Sequence, residues 1–498
     1  MRAAYDVAAV RTAEGILQAA VPDGALMQRA ASGLARRCAE MLGRVYGSRV
    51  VLLVGSGDNG GDALFAGARL AVRGARVDAI QTGDRMHAAG RAALEQAGGL
   101  LHDPAAAGEL IGRADLVMDG MVGIGARGKL RPPAEWLAGL ASSGRAPVVA
   151  VDVPSGVDAT TGRVEGAVVR ADVTVTFGSL KPGLLVAPGA QAAGAVDLVD
   201  IGLAGYLREP PAVRVLDAED VARLLPVPGA DGDKYRRGVL GVVAGSDTYP
   251  GAAVLAVGAA LHAGAGMIRY VGAAAPAELV RQRWPEAVCT VVDHDASGSP
   301  DDPEAVLEAG RVQAWVIGPG LGTGDGARSV LKAVLSTDLP VLVDADALNL
   351  LAAHPFWVAR RRGPTLLTPH AGEFARLTGA ERADVAADRL DHARRAAADL
   401  AATVLLKGST TVVCDPAGAT YVNPTGTGYL ATAGSGDVLS GAAGALLAQG
   451  LQPLEAGAVG AYLHGLAARL AAGPGGGAPI RAFDVIRYWR SAVATVRG

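Results

Sequence analysis

The sequence predicts an α/β protein made of two successive three-layer αβα domains, and three observations carry that prediction. Short β-branched apolar runs alternate with Ala/Leu-rich stretches of helical spacing along nearly the whole chain. Almost every apolar run ends in a glycine-rich or polar cluster, as in open parallel sheets that bind ligands at their strand ends. The rhythm pauses at residues 204–236, where Pro210-Pro211, Pro226, Pro228 and Gly229 read as a linker and entry segment. The 498 residues therefore divide into domains of residues 1–210 and 215–498.

Composition narrows the function. Half of the residues are apolar but only 4% aromatic, so the cores must be filled by Ala, Val and Leu. A net charge of −3 argues against a dedicated nucleic-acid or membrane-surface protein. Cys38, Cys289 and Cys414 have neither metal nor disulfide spacing, which suits a reducing cytoplasm. Arg2, Asp6, Arg11 and Glu14 interrupt the N-terminus, so no secretory signal is expected, and the uncharged runs are too broken for a membrane span. Only five lysines occur, which makes any lysine inside a motif conspicuous.

In the first half, residues 6–20 and 25–43 have helical spacing, and Arg49–Val54 reads as a buried parallel strand. Gly55-Ser-Gly-Asp58-Asn59-Gly60-Gly61-Asp62 follows, then a helix from about Ala63 to Arg73. Strand Val77–Gln81, a helix near Arg85–Ala97 and strand Leu116–Asp119 continue the alternation, with Gly120–Gly128 after the last of these. A helix near Ala134–Leu140 precedes strand Pro147–Val151, which ends in Asp152-Val-Pro-Ser155-Gly-Val-Asp158. Strands near Val173–Thr176 and Val196–Val199 complete the unit. One aspartate at a strand end is more often a turn or helix cap. Asn59/Asp62, Asp119 and Asp152/Ser155 occupy three such ends, and oxygen groups converging there suit a monovalent cation and a polar ligand.

These motifs, with Phe177-Gly-Ser-Leu-Lys-Pro-Gly183, make residues 1–210 resemble the NAD(P)H-hydrate epimerase domain, a Rossmann-like doubly wound sheet. The resemblance implies that Asn59, Asp119 and Ser155 help hold K+. It also implies that the hydrated nicotinamide nucleotide is bound by Asp58, Asn59, Gly60, Gly61 and Asp62, by Gly123, Ile124, Gly125, Ala126, Arg127, Gly128 and Lys129, and by Asp152. Asp152 is the candidate for proton handling. Asp58 replaces the first of the family's usual paired asparagines, and Ala63 replaces the following glycine.

The second half opens with strand Gly238–Gly245, helix Ala252–Ala263 and strand Met267–Val271. Beyond an Asp/Ser/Pro-rich stretch (Asp293–Pro303), four strands each end in a polar cluster. Ala314–Ile317 leads to Gly318–Gly322, Val341–Val343 to Asp344–Asn349, Thr365–Leu367 to Thr368-Pro-His370-Ala-Gly-Glu373, and Val404–Leu406 to Lys407-Gly-Ser-Thr-Thr411. His370 lacks a second ligand at metal spacing, so a polar contact to substrate fits it better. No Gly-x-x-x-x-Gly-Lys-[Ser/Thr] loop is present. Phosphate handling is expected at Asn423–Gly441, where Gly434-Ser435-Gly436-Asp437 opens an apolar helix through Gln449. Glycines and unpaired helix N–H groups there suit an anion, and Asp437 in the first turn suits a general base. The bland alternative is a loop with an N-capping serine and a dipole-matched aspartate.

The second half resembles the ribokinase-like fold and, within it, the ADP-dependent NAD(P)H-hydrate dehydratase. By position, Ala253, Gly320, His370 and Asp437 would contact the hydrated nucleotide, and Lys407, Gly408, Ser409, Thr410, Thr411 and Gly436 the adenosine nucleotide. The resemblance implies phosphoryl transfer from ADP or ATP, with Mg2+, to the C6 hydroxyl of hydrated NADH or NADPH, followed by loss of phosphate. Asp437 would accept the hydroxyl proton. Related folds assemble, so a homo-oligomer is expected by analogy. The competing readings are a small-molecule kinase that releases a stable phosphoester and a first half that binds ligand without catalysis.

Overall fold

A computed structural model describes residues 1–229, 233–296, 298–475 and 477–498. Positions 230–232 of the expected linker and position 297 of the Asp/Ser/Pro-rich stretch lie outside the described residues. The chain divides into two compact units, Ala3–Val213 and Arg214–Gly498, the latter including Met1–Arg2.

In the first unit seven parallel strands form one sheet in the order Leu100–His102, Arg76–Gln81, Arg49–Val54, Leu116–Gly120, Val148–Val151, Val173–Phe177 and Ala195–Val199. The chain leaves Arg49–Val54 toward one edge and returns to pair Leu116–Gly120 on its other side. That reversal is the switch point where a doubly wound sheet opens a ligand crevice. Leu116–Gly120, Val148–Val151 and Val173–Phe177 are buried throughout, as a parallel sheet covered on both faces requires.

The helix after the first of these loops runs Asp58–Val72, five residues longer at its start than the sequence suggests. The cause is Gly60: a side chain there would collide with the Gly55 carbonyl, so glycine lets the helix begin directly against the strand end. Asp58–Asp62 is accordingly a first helical turn, with its unpaired N–H groups at the sheet edge. The short strand Leu100–His102 and helix Ala107–Gly112 had no clear periodicity to betray them.

The second unit's sheet runs, in spatial order, Val213–Val215, Thr420–Asn423, Thr411–Cys414, Thr403–Leu406, Thr365–Leu367, Val341–Val343, Ala314–Ile317, Val239–Val243, Met267–Gly272 and Val288–Val291, with Arg2–Ala4 at its first edge. Pairing is parallel from Val288–Val291 to Thr403–Leu406 and antiparallel across Thr411–Cys414. Thr411 thus opens a strand rather than closing a loop. The expected linker also contains structure: strand Val213–Val215, and helix Ala218–Leu224 closed by an Asp217/Asp220 capping box. The switch point lies between Val239–Val243 and Ala314–Ile317.

Packing of two Ala/Gly-rich helices, Pro250–His262 and Ser435–Ala448, seats the glycine motif. Gly441 has no side chain to clash with the Ala256 backbone, so the helices meet closely. Trp315 and Trp489, both fully buried, supply bulk that the alanines lack.

Candidate functional site

Helix Ser435–Ala448 begins after Gly434, whose φ of 82° is left-handed, and no side chain caps it. Ser435 donates its hydroxyl to the Leu430 carbonyl (2.7 Å), so the N-capping-serine alternative does not hold. The Ser435 N–H donates to the Thr432 carbonyl (3.3 Å), which leaves the N–H groups of Gly436 and Asp437 to an anion. Burial, reinforced by the Asp344 charge, pushes the Asp437 carboxyl up to about 7.

Beside this helix start, Lys407 Nζ donates to Asp344 Oδ1 (2.7 Å) and lies 3.8 Å from Glu373 Oε2. Ser440 Oγ donates to Asp344 Oδ2 at 2.6 Å. Burial draws the Lys407 ammonium down, but Asp344 and Glu373 outweigh it and leave the group above its usual value. A methyl group on Gly436 would stand 3.4 Å from Lys407 Nζ, which places the lysine against the first turn. His370 caps the next helix: its Nδ1 accepts from Gly372 N (2.9 Å) and Glu373 N (3.3 Å), and Glu373 Oε2 accepts from His370 N (2.8 Å). Burial lowers its imidazole, consistent with that acceptor role.

A cavity of about 630 Å³, within the usual range for small-ligand sites, is lined by His370, Lys407, Gly408, Ser409, Thr411 and Gly436 together with Thr427, Leu439 and His464. Thr410 is buried and not part of the lining. Gly320, with φ of 59°, instead packs against Tyr249–Ala252, and Ala253 is fully buried beside Gly245. These two bound a separate part of the strand-end region. Asp437 stands under the electrostatic influence of Asp344 and Asp346, and Asp346 Oδ2 accepts from Gly322 N (2.9 Å) beyond Gly320.

In the first unit, Asp119 Oδ1 accepts from Ser155 Oγ (2.6 Å) and Asp119 Oδ2 from Ser155 N (2.8 Å). Val122 N donates to Ser155 Oγ (3.1 Å), and Asn59 Nδ2 donates to Val122 O (2.9 Å). The three expected cation ligands therefore form one buried oxygen-rich chain. Burial pushes Asp119 up to about 6, despite the donors from Ser155.

Asp152, at φ 62°, accepts from Lys181 Nζ (2.5 Å), Thr176 Oγ1 (2.9 Å) and Phe177 N (3.0 Å). Asp62 is buried, and burial together with Asp152, Asp58 and Glu14 raises it well above the usual carboxylate range. Asp58 itself is exposed. In Gly123–Lys129, Gly123 packs against Asn59, Gly125 abuts the Arg11 guanidinium, and Arg127, Gly128 and Lys129 are exposed.

The residues that sequence reasoning missed share one property: they act at a distance along the chain. Asp344 and Glu373 were seen as strand-end polar groups but not as partners of Lys407. His464, on helix Pro453–Ala471, reaches the cavity with Nε2 2.9 Å from the Ser435 carbonyl, and burial lowers it to about 4. Its surrounding sequence is plain apolar helix. Lys181 and Glu14 also escaped, although the rarity of lysine was a usable signal for Lys181.

A family model described as NAD(P)H-hydrate dehydratase matches residues 240–482, and one described as YjeF-related protein N-terminus matches residues 23–183. The chain is 49% identical to the bifunctional NAD(P)H-hydrate repair enzyme of Mycobacterium leprae (strain TN), over 100% of both chains. It is 50% identical to the same-named enzyme of Mycobacterium tuberculosis (strain CDC 1551 / Oshkosh), over 92% of both. A crystal structure of a ribokinase-like superfamily protein from Enterococcus faecalis V583 matches with a TM-score of 0.50 at 24% identity, covering 58% of this chain and 98% of that one, which bears on the fold alone. Full-length identity at this level makes the chain a member of the bifunctional NAD(P)H-hydrate repair enzyme family.

Proposed function

We propose that the first unit interconverts the R and S forms of hydrated NADH or NADPH, and that the second dehydrates the S form at the expense of ADP or ATP. The observation that carries this reading is the Asp437 carboxyl at an uncapped helix start, beside the Lys407–Asp344 pair and a cavity of about 630 Å³. Hydroxide leaves poorly from C6, so the hydroxyl must first be phosphorylated. Asp437, tuned to about 7, accepts the hydroxyl proton near neutral pH, where a general base is most effective. The first-turn N–H groups and Lys407 hold the phosphoryl oxygens and stabilise their charge as the bond to the nucleotide breaks. Phosphate then departs with assistance from the ring-nitrogen lone pair, which distinguishes this course from a kinase that keeps its phosphoester.

Among the described residues no group of three or more His, Cys, Asp or Glu could hold a metal ion, so Mg2+ fits best as a companion of the nucleotide phosphates, whose charge it neutralises. For K+, Asn59, Asp119 and Ser155 would supply hard oxygen groups, and Asp119 is fully buried with no ion pair among the described residues. K+ held there would complete that charge and anchor the Gly120–Lys129 segment. Exposed Arg127 and Lys129 suit the substrate's phosphates. No described helix is long and apolar enough to cross a membrane, and we place the reaction in the cytoplasm.

The test is incubation of the full chain with purified R hydrate, ADP, Mg2+ and K+. The expected result is recovery of 340-nm absorbance with matching release of inorganic phosphate, and no recovery without nucleotide. A stable phosphorylated product with no gain in absorbance would point to the kinase reading instead.

A further inference from the structure

We propose that Asp62 and Asp152 form the acid–base pair of the first unit, Asp62 giving a proton and Asp152 taking one, with buried Lys181 as the positioning residue that assigns the two roles. This rests on the epimerase reading above.

Lys181 is fully buried, and its Nζ donates to Asp152 Oδ1 (2.5 Å), Thr176 Oγ1 (2.9 Å) and the Phe177 carbonyl (3.0 Å). An ammonium has three protons, and all three are committed inside the protein. Lys181 therefore has no donor for substrate; it is a fixed charge behind Asp152. On Asp152, Oδ1 accepts all three incoming hydrogen bonds, which leaves Oδ2 as the oxygen for a ligand proton. The positive φ of Asp152 is a strained backbone conformation, and such strain persists where surrounding contacts hold a side chain in a required place.

Asp62 is the complementary case. It is 8% exposed, and its Oδ1 is buried without a hydrogen-bond partner. An ionised oxygen in that position would be costly, so the protonated carboxyl is the form that fits. The groups around it agree: burial first, then Asp152, Asp58 on its own helix and Glu14 on helix Val7–Gln18, all favour the proton, and Lys181 alone opposes it. The His87 ring stands beside Gly61 on the neighbouring side. Two carboxyls in one crevice, one facing a lysine and one facing other acids, divide into a base and an acid.

The chemistry balances without any further reactant. Asp152 takes the proton of the C6 hydroxyl, and C6 becomes an aldehyde carbon as the N1–C6 bond breaks. The electron pair of that bond passes to N1, which receives the Asp62 proton. Rotation about the opened chain and reclosure on the other face return both protons and invert C6.

The experiment follows purified R hydrate turning into S hydrate by chromatography, with the full chain, K+ and no nucleotide. Asp62→Asn is close in shape and removes an unpartnered buried carboxyl, so it should fold, which a melting curve checks. The expected result is a loss of kcat of about a hundredfold or more with little change in KM, and loss of the alkaline fall in the wild-type pH profile. Lys181→Met is expected to lower kcat roughly tenfold or more with KM little changed, and Lys181→Arg to restore most of that loss. Wild-type kcat and an unchanged alkaline limb in Asp62→Asn would overturn the acid role. Wild-type kcat in folded Lys181→Met would overturn the positioning role. A wild-type chain that leaves the R hydrate unchanged would instead overturn the epimerase reading itself.

Discussion

Both units set a lysine against a buried aspartate at the strand ends of the sheet, yet the two pairs differ in which partner is the more enclosed. Lys181 and Asp152 are 2.5 Å apart, and the lysine side chain is 1% exposed. Lys407 and Asp344 are 2.7 Å apart, but Lys407 is 18% exposed and lines the cavity, while Asp344 is the enclosed partner. In the first unit the carboxylate faces the crevice and the lysine stands behind it. In the second the lysine faces the ligand space and the carboxylate stands behind. In the mechanism proposed above, the same ion pair presents a base to a hydroxyl in one place and a cation to a phosphate in the other. Next to each stands a second carboxyl raised by burial, Asp62 or Asp437.

This contrast can be broken most sharply through stability. Lys407→Met strands the enclosed Asp344 (1% exposed) and is expected to cost about 3–5 kcal/mol, whereas Lys181→Met should cost less because Asp152 is 12% exposed and keeps its bonds from Thr176 and Phe177. Equal losses in urea denaturation would mean that the two pairs are not inverted in the way described. Asp437→Asn comes next, with about a hundredfold loss of ADP-dependent dehydration and an intact melting curve. Its pH dependence has a definite sign: a base must be ionised, so wild-type kcat/KM should fall as pH drops below about 7 and level off above it. The residual activity of the variant should lack that fall.

Smaller effects sharpen the picture further. Ser155→Ala removes the hydroxyl that joins Asp119 to the Val122 segment, and the K+ concentration for half-maximal epimerisation should rise roughly tenfold. Dehydration of S hydrate in the same preparation tests whether the effect stays in the first unit. Smallest of all, Gly436→Ala puts a methyl group 3.4 Å from the flexible end of Lys407, and a few-fold increase in nucleotide KM with kcat preserved is expected. A collapse of kcat there would place the reacting phosphoryl group closer to Gly436 than the cavity geometry implies.

The strands were legible because buried parallel strands are nearly continuous apolar runs, and the glycine motifs stood out beside them. Boundaries were less so. The Asp58–Val72 helix absorbs a segment rich in Gly and Asp, because contact between Gly60 and Gly55 overrides the poor helix propensity of those residues. Helix Ala218–Leu224 lay hidden in a stretch punctuated by prolines, and its capping box is its only local signature. At the second site the helix start, Lys407 and Asp437 could be picked out locally. His464 could not, because its role depends on which way helix Pro453–Ala471 turns toward Ser435.

From the sequence alone came the two α/β units, the strand-end motifs and the chemical types gathered there, since these depend on periodicity and on glycine and carboxylate placement along the chain. Tertiary structure decided which lysine meets which aspartate, which of each pair is the more enclosed, and which acids burial pushes up. Those properties depend on burial and on distances between strands remote in sequence, and neither is written in any local pattern.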